Sequence, residues 1–97
     1  MLLFLSNILP PKTINIQDIN NKSLNKKVQI QGQTINIKNY EESDFQILTL
    51  RDETGEIDVT LDNIANLTKN KNIQVIGTII EYNGRMEIHA DKIISSP

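Results

Sequence analysis

Three of the four aromatic residues, Tyr40, Phe45 and Tyr82, stand near three of the ten basic ones, Lys38, Arg51 and Arg85. Rings interleaved with cations suit one kind of chemistry. An exposed ring stacks on a flat unsaturated partner, at roughly 1–3 kcal/mol for each nucleobase stacked, while Lys and Arg answer a run of phosphates. Each residue also has a plainer role. Tyr82, beside Asn83-Gly84, can serve as the cross-strand packing partner of Arg85, and Tyr40 sits among acidic residues. Phe45 can be covered by the chain's own apolar start, Met1 to Leu5, and Arg51 can pair with Asp58.

Covalent and metal chemistry find little to work with. The chain has no cysteine, so thiolate nucleophiles, disulfides and Cys-based metal sites are out. Its single histidine, His89, cannot form a triad or a metal site alone and is expected as a solvated side chain beside Glu87. Glu41, Glu42 and Asp44 offer carboxylates to a hard cation but lack the glycine and bidentate-glutamate spacing of a calcium loop. No Gly-rich phosphate loop is present, and no serine stands beside a convincing base. The expectation is a binding protein, not an enzyme, with no catalytic residues, no metal and no cofactor.

Ninety-seven residues, 38% of them apolar, are enough for one small core, and the mixed charges argue against disorder. The net charge of −2 works against a polyanionic partner unless the cations gather on one patch. The apolar start has no basic residue ahead of it, is broken by Ser6-Asn7, and meets Pro10-Pro11 before any small-residue cleavage site. No stretch approaches the roughly 20 apolar residues that cross a bilayer. These features fit a cytoplasmic protein with no membrane partner.

The elements that must position the rings and cations are strands. Apolar residues recur mainly at every second position, in short runs bounded by Asn, Asp and Gly. Residues 1–13 read as an N-terminal extension and 14–97 as one domain. A weak lead-in, Ile14 to Ile19, precedes a strand over about Lys27 to Ile37, whose apolar phase shifts after Gly32, as at a bulge. A polar loop, Lys38 to Asp44, leads to strands Phe45 to Arg51 and Glu56 to Leu61, joined by the turn Asp52-Glu53-Thr54-Gly55. Asp62 stands where a helix N-cap belongs, and the spacing of Ile64 and Leu67 predicts a short helix. Strands Ile73 to Tyr82 and Arg85 to Ile94 follow, joined by Asn83-Gly84, the strongest short hairpin signal.

That hairpin fixes facing. If Tyr82 opposes Arg85, then Ile80 opposes Glu87 and Thr78 opposes His89 on the outer face, while Gly77, Ile79, Met86, Ile88 and Ala90 turn inward. With Leu48 and Leu50 inward, Phe45, Ile47, Thr49 and Arg51 point out. Five strands, a bend in the first and a short helix between the third and fourth describe an all-β Greek-key barrel of the OB type.

The stretch from about Ile14 to Ile94 resembles the OB domains of the tRNA-anticodon-binding and replication protein A class, especially archaeal single-strand-binding proteins. The resemblance rests on Ile16-Gln17-Asp18-Ile19, Val28-Gln29-Ile30-Gln31-Gly32, the run Leu50 to Ile57, Val75-Ile76-Gly77, Tyr82-Asn83-Gly84-Arg85 and Glu87-Ile88. Leu50-Arg51-Asp52-Glu53-Thr54-Gly55 is its most specific part. The likeness implies single-stranded DNA or RNA on the outer face of the second and third strands, with Tyr40, Phe45 and Tyr82 stacking bases and Lys38, Arg51 and Arg85 meeting phosphate. The alternative is a protein-interaction OB subunit of a replication or repair complex. Exposed Phe45, Ile47 and Ile80 would be its sticky surface, the acidic balance suits it, and Met1 to Leu5 would dock a protein partner or a second copy.

Overall fold

In a computed structural model, which describes residues 11–95, five strands close into a barrel in the order β1-β2-β3-β5-β4. They are β1 (Lys27–Tyr40), β2 (Phe45–Arg51), β3 (Glu56–Leu61), β4 (Asn72–Tyr82) and β5 (Arg85–Ser95). All pairings are antiparallel except β3 with β5, which run parallel through Asp58↔Glu87, Val59↔Ile88 and Thr60↔His89. The expected five-stranded barrel is therefore the observed one.

β1 is long because its halves serve different neighbours. Lys27 to Gln33 pair with β4, and Gln33 to Tyr40 pair with β2. The strand must bend between them, and it does so three residues later than the sequence pattern suggested, at Ile35, where the register shifts between Thr34 and Asn36. Gly32 keeps the inward phase of Val28 and Ile30, and so does Thr34, fully buried despite its hydroxyl. A buried polar residue hid the phase. Gly32 is needed for another reason: a Cβ there would stand 2.8 Å from the Arg51 carbonyl oxygen. β1 also runs on to Tyr40, so the polar loop shrinks to Glu41–Asp44 and both Lys38 and Tyr40 belong to a strand, opposite Ile47 and Phe45.

The β4–β5 register is the one derived from Asn83-Gly84: Tyr82↔Arg85, Ile80↔Glu87 and Thr78↔His89. Both turn residues have positive φ, 52° and 78°, which matches the right-handed twist of the flanking strands. Inside the barrel Ile30, Leu48, Leu50, Val59, Val75, Ile79 and Ile88 are completely buried. Each such side chain contributes roughly 1.5–3 kcal/mol of hydrophobic free energy.

The two barrel ends are sealed differently. At one, Ile16 is buried at the head of a 3-10 turn (Ile16–Asp18), and its backbone N–H donates to Asp52 Oδ2 at 2.9 Å. At the other lies the connection from β3 to β4. The helix expected there is absent: residues 62–71 run as bends and turns. Three side chains outside the segment claim its backbone. Gln46, buried, donates to the Ala65 carbonyl and accepts from the Ala65 N–H; Asp44 accepts from the Ile64 N–H. Thr34 donates its hydroxyl to the Thr68 carbonyl at 2.7 Å and accepts from the Lys71 N–H. With Asn63, Asn66, Thr68 and Asn70 in the run, helix propensity is poor, and these bonds prevail. Asp62, the expected N-cap, instead meets His89.

Candidate nucleic-acid interface

The outer faces of β2, β3, β5 and β4 form a shallow, mostly apolar groove of about 370 Å³ lined by Phe45, Ile47, Thr60, Ile80, Tyr82, Glu87 and His89. Alternation puts these residues here. Phe45 and Ile47 are outward positions of β2, alternating with buried Gln46 and Leu48, and Ile80 and Glu87 are an outward cross-strand pair. The short parallel pairing of β3 with β5 brings Thr60 beside His89 between the two walls.

Of the residues expected to stack, Phe45 and Tyr82 line this groove. Tyr40 packs against Phe45 with ring centroids 6.2 Å apart and planes tilted by 46°, extending the aromatic wall outward. Tyr82 is 62% exposed and Tyr40 44%, so both rings are open to solvent. Lys38, paired with Ile47, and Arg85, paired with Tyr82, are exposed beside opposite walls. Arg51 lies apart. It lines a different, more polar depression with Asp52, Thr54 and Gln33, and its guanidinium clasps Glu56 Oε2 through Nε at 3.0 Å and Nη2 at 2.6 Å. The partner expected for it, Asp58, instead accepts from the Thr49 hydroxyl at 3.0 Å.

Three groove residues escaped notice as site residues because their types are common on surfaces: Thr60, Glu87 and His89. His89 is not the freely solvated side chain expected. Its Nδ1 lies 2.9 Å from Thr60 Oγ1 and its Nε2 3.1 Å from Asp62 Oδ2. Hydroxyl, imidazole and carboxylate in series have the order of a nucleophile relay. Here Thr60 is buried within β3, paired to Ile47 on one side and His89 on the other, so its backbone is committed to the sheet. The chain's visible effect is to fix the imidazole in place.

Glu87 is the contrasting group. Partial burial raises its pKa, the nearby Asp58 carboxylate raises it further, and Arg85 opposes both. No hydrogen bond contributes. Within the groove this leaves a half-buried acceptor without a donor among the described residues. Also among the described residues, no three His, Asp or Glu side chains converge as metal ligands, and no helix is long and apolar enough to cross a membrane.

Residues 28–95 match the family of OB-fold nucleic acid binding domains of the tRNA anticodon type. The chain belongs to this family. Solved structures similar to this OB domain include the OB domain of a Methanosarcina mazei protein, at TM-score 0.78 and 21% identity, covering 91% of this chain and 86% of that one. The second OB-fold domain of replication protein A from Methanococcus maripaludis gives TM-score 0.69 and 20% identity, over 87% of this chain and 94% of the other. Asparaginyl-tRNA synthetase from Pyrococcus horikoshii gives TM-score 0.74 and 18% identity over 87% of this chain. The chain spans only about a fifth of the synthetases it resembles, 22% in that case. No curated protein sequence matches it. At these identities the likeness establishes the barrel.

Proposed function

We propose that this OB domain binds single-stranded nucleic acid in the groove between β2 and β4, without catalysing a reaction. The observation that carries the reading is the placement of exposed rings. Tyr82 on one wall, and Phe45 with Tyr40 on the other, flank an apolar trough on an open sheet face. Exposed tyrosines beside an apolar groove are poorly used by folding and well used by stacking. Lys38 and Arg85 stand outside the two walls, where a strand's phosphates would run once its bases turn inward. The family is one of nucleic acid binding domains, which supports a nucleic-acid ligand for the groove.

The test is fluorescence anisotropy with labelled oligo-dT, an RNA of equal length and a duplex, at low and at moderate salt. Single-strand binding that weakens with salt and spares duplex is the expected result. The slope against salt should be shallow, because few cations border the groove. Absence of single-strand binding at low salt overturns the reading. A second reading, a protein-docking OB subunit, is favoured by one observation: Glu56, Asp58 and Glu87 share the outer face of β3 and β5, which suits a basic peptide better than a phosphate. Met1 to Leu5, the expected docking segment, lie outside the described residues.

A further inference from the structure

We infer that the groove selects guanine, with the Glu87 carboxylate accepting from the N1–H and N2–H of one base stacked against Tyr82 or Phe45. This rests on the proposed single-strand function and names the ligand's reactive edge.

Most polar groups in the groove are already used. Thr60 Oγ1 is bonded to His89, and both His89 nitrogens are engaged, one by Thr60 and one by Asp62. Glu87 and the Tyr82 phenol are the remaining polar groups of the lining; Glu87 alone of the two, as a carboxylate, is an acceptor-only group, and no donor among the described residues reaches it. Around it the lining is a phenylalanine, two isoleucines and a tyrosine, with Thr60 and His89 already bonded to each other, and Asp58 and Arg85 act on it from nearby. A half-buried carboxylate in such a trough is less well solvated than one in open water, so a partner that brings hydrogen to donate gains more there.

Charge then fixes the orientation of a strand. Phosphates are repelled by Glu87 and Asp58 and drawn to Lys38 and Arg85 beyond the walls. Bases therefore face the floor and the backbone stays outside. The base edge that meets Glu87 must carry donors.

Only one standard base offers two adjacent donors on its pairing edge. Guanine presents N1–H and N2–H side by side, spaced to meet both oxygens of a carboxylate. Thymine and uracil present one N–H between two carbonyl oxygens, which the carboxylate repels. Adenine and cytosine present an amino group beside a ring-nitrogen lone pair, a mixed edge that gives one bond and one repulsion. The order expected is guanine first, adenine and cytosine next, thymine and uracil last.

The experiment compares a short oligo-dT with the same strand carrying one central deoxyguanosine, and with deoxyinosine at that position, for the full chain and for Glu87→Gln. The guanine strand should bind about tenfold tighter than oligo-dT, as a good bidentate base contact does, with inosine in between because it lacks the N2 amino group. In Glu87→Gln the guanine advantage, read as the ratio of guanine-strand to oligo-dT affinity for that variant, should collapse. Equal binding of the guanine and thymine strands by the unaltered protein overturns the inference and leaves the single-strand reading intact. A guanine preference that survives Glu87→Gln overturns the assignment to Glu87. Absence of binding to every strand overturns both.

Discussion

Two carboxylates of this barrel have the same chemistry and opposite circumstances. Asp52, in the β2–β3 turn, accepts four hydrogen bonds: from the Thr54 hydroxyl, the Thr54 and Gly55 N–H groups and, across 36 residues of sequence, the Ile16 N–H. Burial pushes its pKa up, but those bonds outweigh burial and hold it below the ordinary aspartate value. Glu87, in the groove, is also partly buried, has Asp58 beside it and no donor among the described residues, so its pKa is raised. Asp52 is spent on the fold. It closes its own turn and pins the lead-in segment whose Ile16 seals the core. Glu87 has no bond to any described donor, and an acceptor left free beside exposed rings is what a ligand can fill.

Breaking the satisfied site should have the largest effect, and on stability. Asp52→Ala removes all four acceptor contacts at once and should destabilise the domain by about 2–3 kcal/mol, read by urea denaturation. Asp52→Asn is the sharper probe. Its remaining oxygen can serve the three donors of the turn, while its amide nitrogen faces the Ile16 N–H, so the loss should be smaller and concentrated at the lead-in. The pH dependence carries the same sign. A carboxylate whose folded pKa is depressed contributes stability that is present above its unfolded value, near 3.8, and lost as pH falls through the lower folded value. The advantage of the unaltered protein over Asp52→Asn should therefore be full above about pH 4 and shrink as the pH falls further. Neither change should alter the guanine-to-thymine ratio.

Breaking the groove should spare stability and cost binding. Tyr82 is mostly exposed at the end of β4, so Tyr82→Ala removes little packing. Losing one stacking surface should weaken single-strand binding roughly tenfold in an anisotropy titration. An unchanged affinity in the folded variant would take the β4–β5 hairpin out of the interface. The same measurement on Phe45→Ala tests the facing wall, with a stability cost added because Phe45 is half-buried and also supports Tyr40.

The strands were legible because their burial alternates with period two, and the hairpin because Asn83-Gly84 permits only one tight register. The facing of Phe45, Ile47, Ile80 and Tyr82 followed from those two facts. What could not be read depended on contacts distant in sequence. The bend at Ile35 was masked because Thr34 turns inward to hold the 62–71 connection. The absent helix has the same origin: Thr34, Asp44 and Gln46 supply bonds that local propensity does not foresee. The motif Asp52-Glu53-Thr54-Gly55 was legible as a turn, yet its reach to Ile16 required the closed barrel. Likewise His89 looked solitary until the parallel β3–β5 pairing set Thr60 beside it. Arg51 and Glu56, by contrast, end a β2–β3 cross-strand pair and could have been matched from the register alone.

A gentler change at Glu87 inverts the Asp52 result. A carboxylate whose folded pKa is raised above the unfolded value, near 4.5, penalises the fold once it is ionised. The penalty grows as pH rises through that window and is complete above the raised folded value. Glu87→Gln removes the charge at constant size, so it should raise the thermal midpoint at neutral pH and leave it nearly unchanged at pH 4. The shift should stay below about 4 °C, the lower end of what 1 kcal/mol produces in a domain of this size. A lower midpoint at neutral pH would show that Glu87 is satisfied by something in the folded chain, and the contrast with Asp52 would fail.

The smallest effect is expected at Arg51, although its type marks it as a phosphate contact. Its guanidinium is already clasped by Glu56, both side chains are about half exposed, and the pair lies outside the aromatic groove. An exposed ion pair of this kind contributes between about 0 and 1 kcal/mol to stability. For a phosphate to recruit Arg51 it would have to displace that carboxylate, exchanging one charge-assisted pair for another with little net gain. Arg51→Ala should therefore change single-strand affinity by less than about twofold, whereas Arg85→Ala, which removes an exposed cation beside Tyr82, should weaken binding and flatten its salt dependence. A large loss in Arg51→Ala would mean that the strand crosses the β2–β3 turn, and the site would then include the Asp52 region that the comparison assigns to the fold alone.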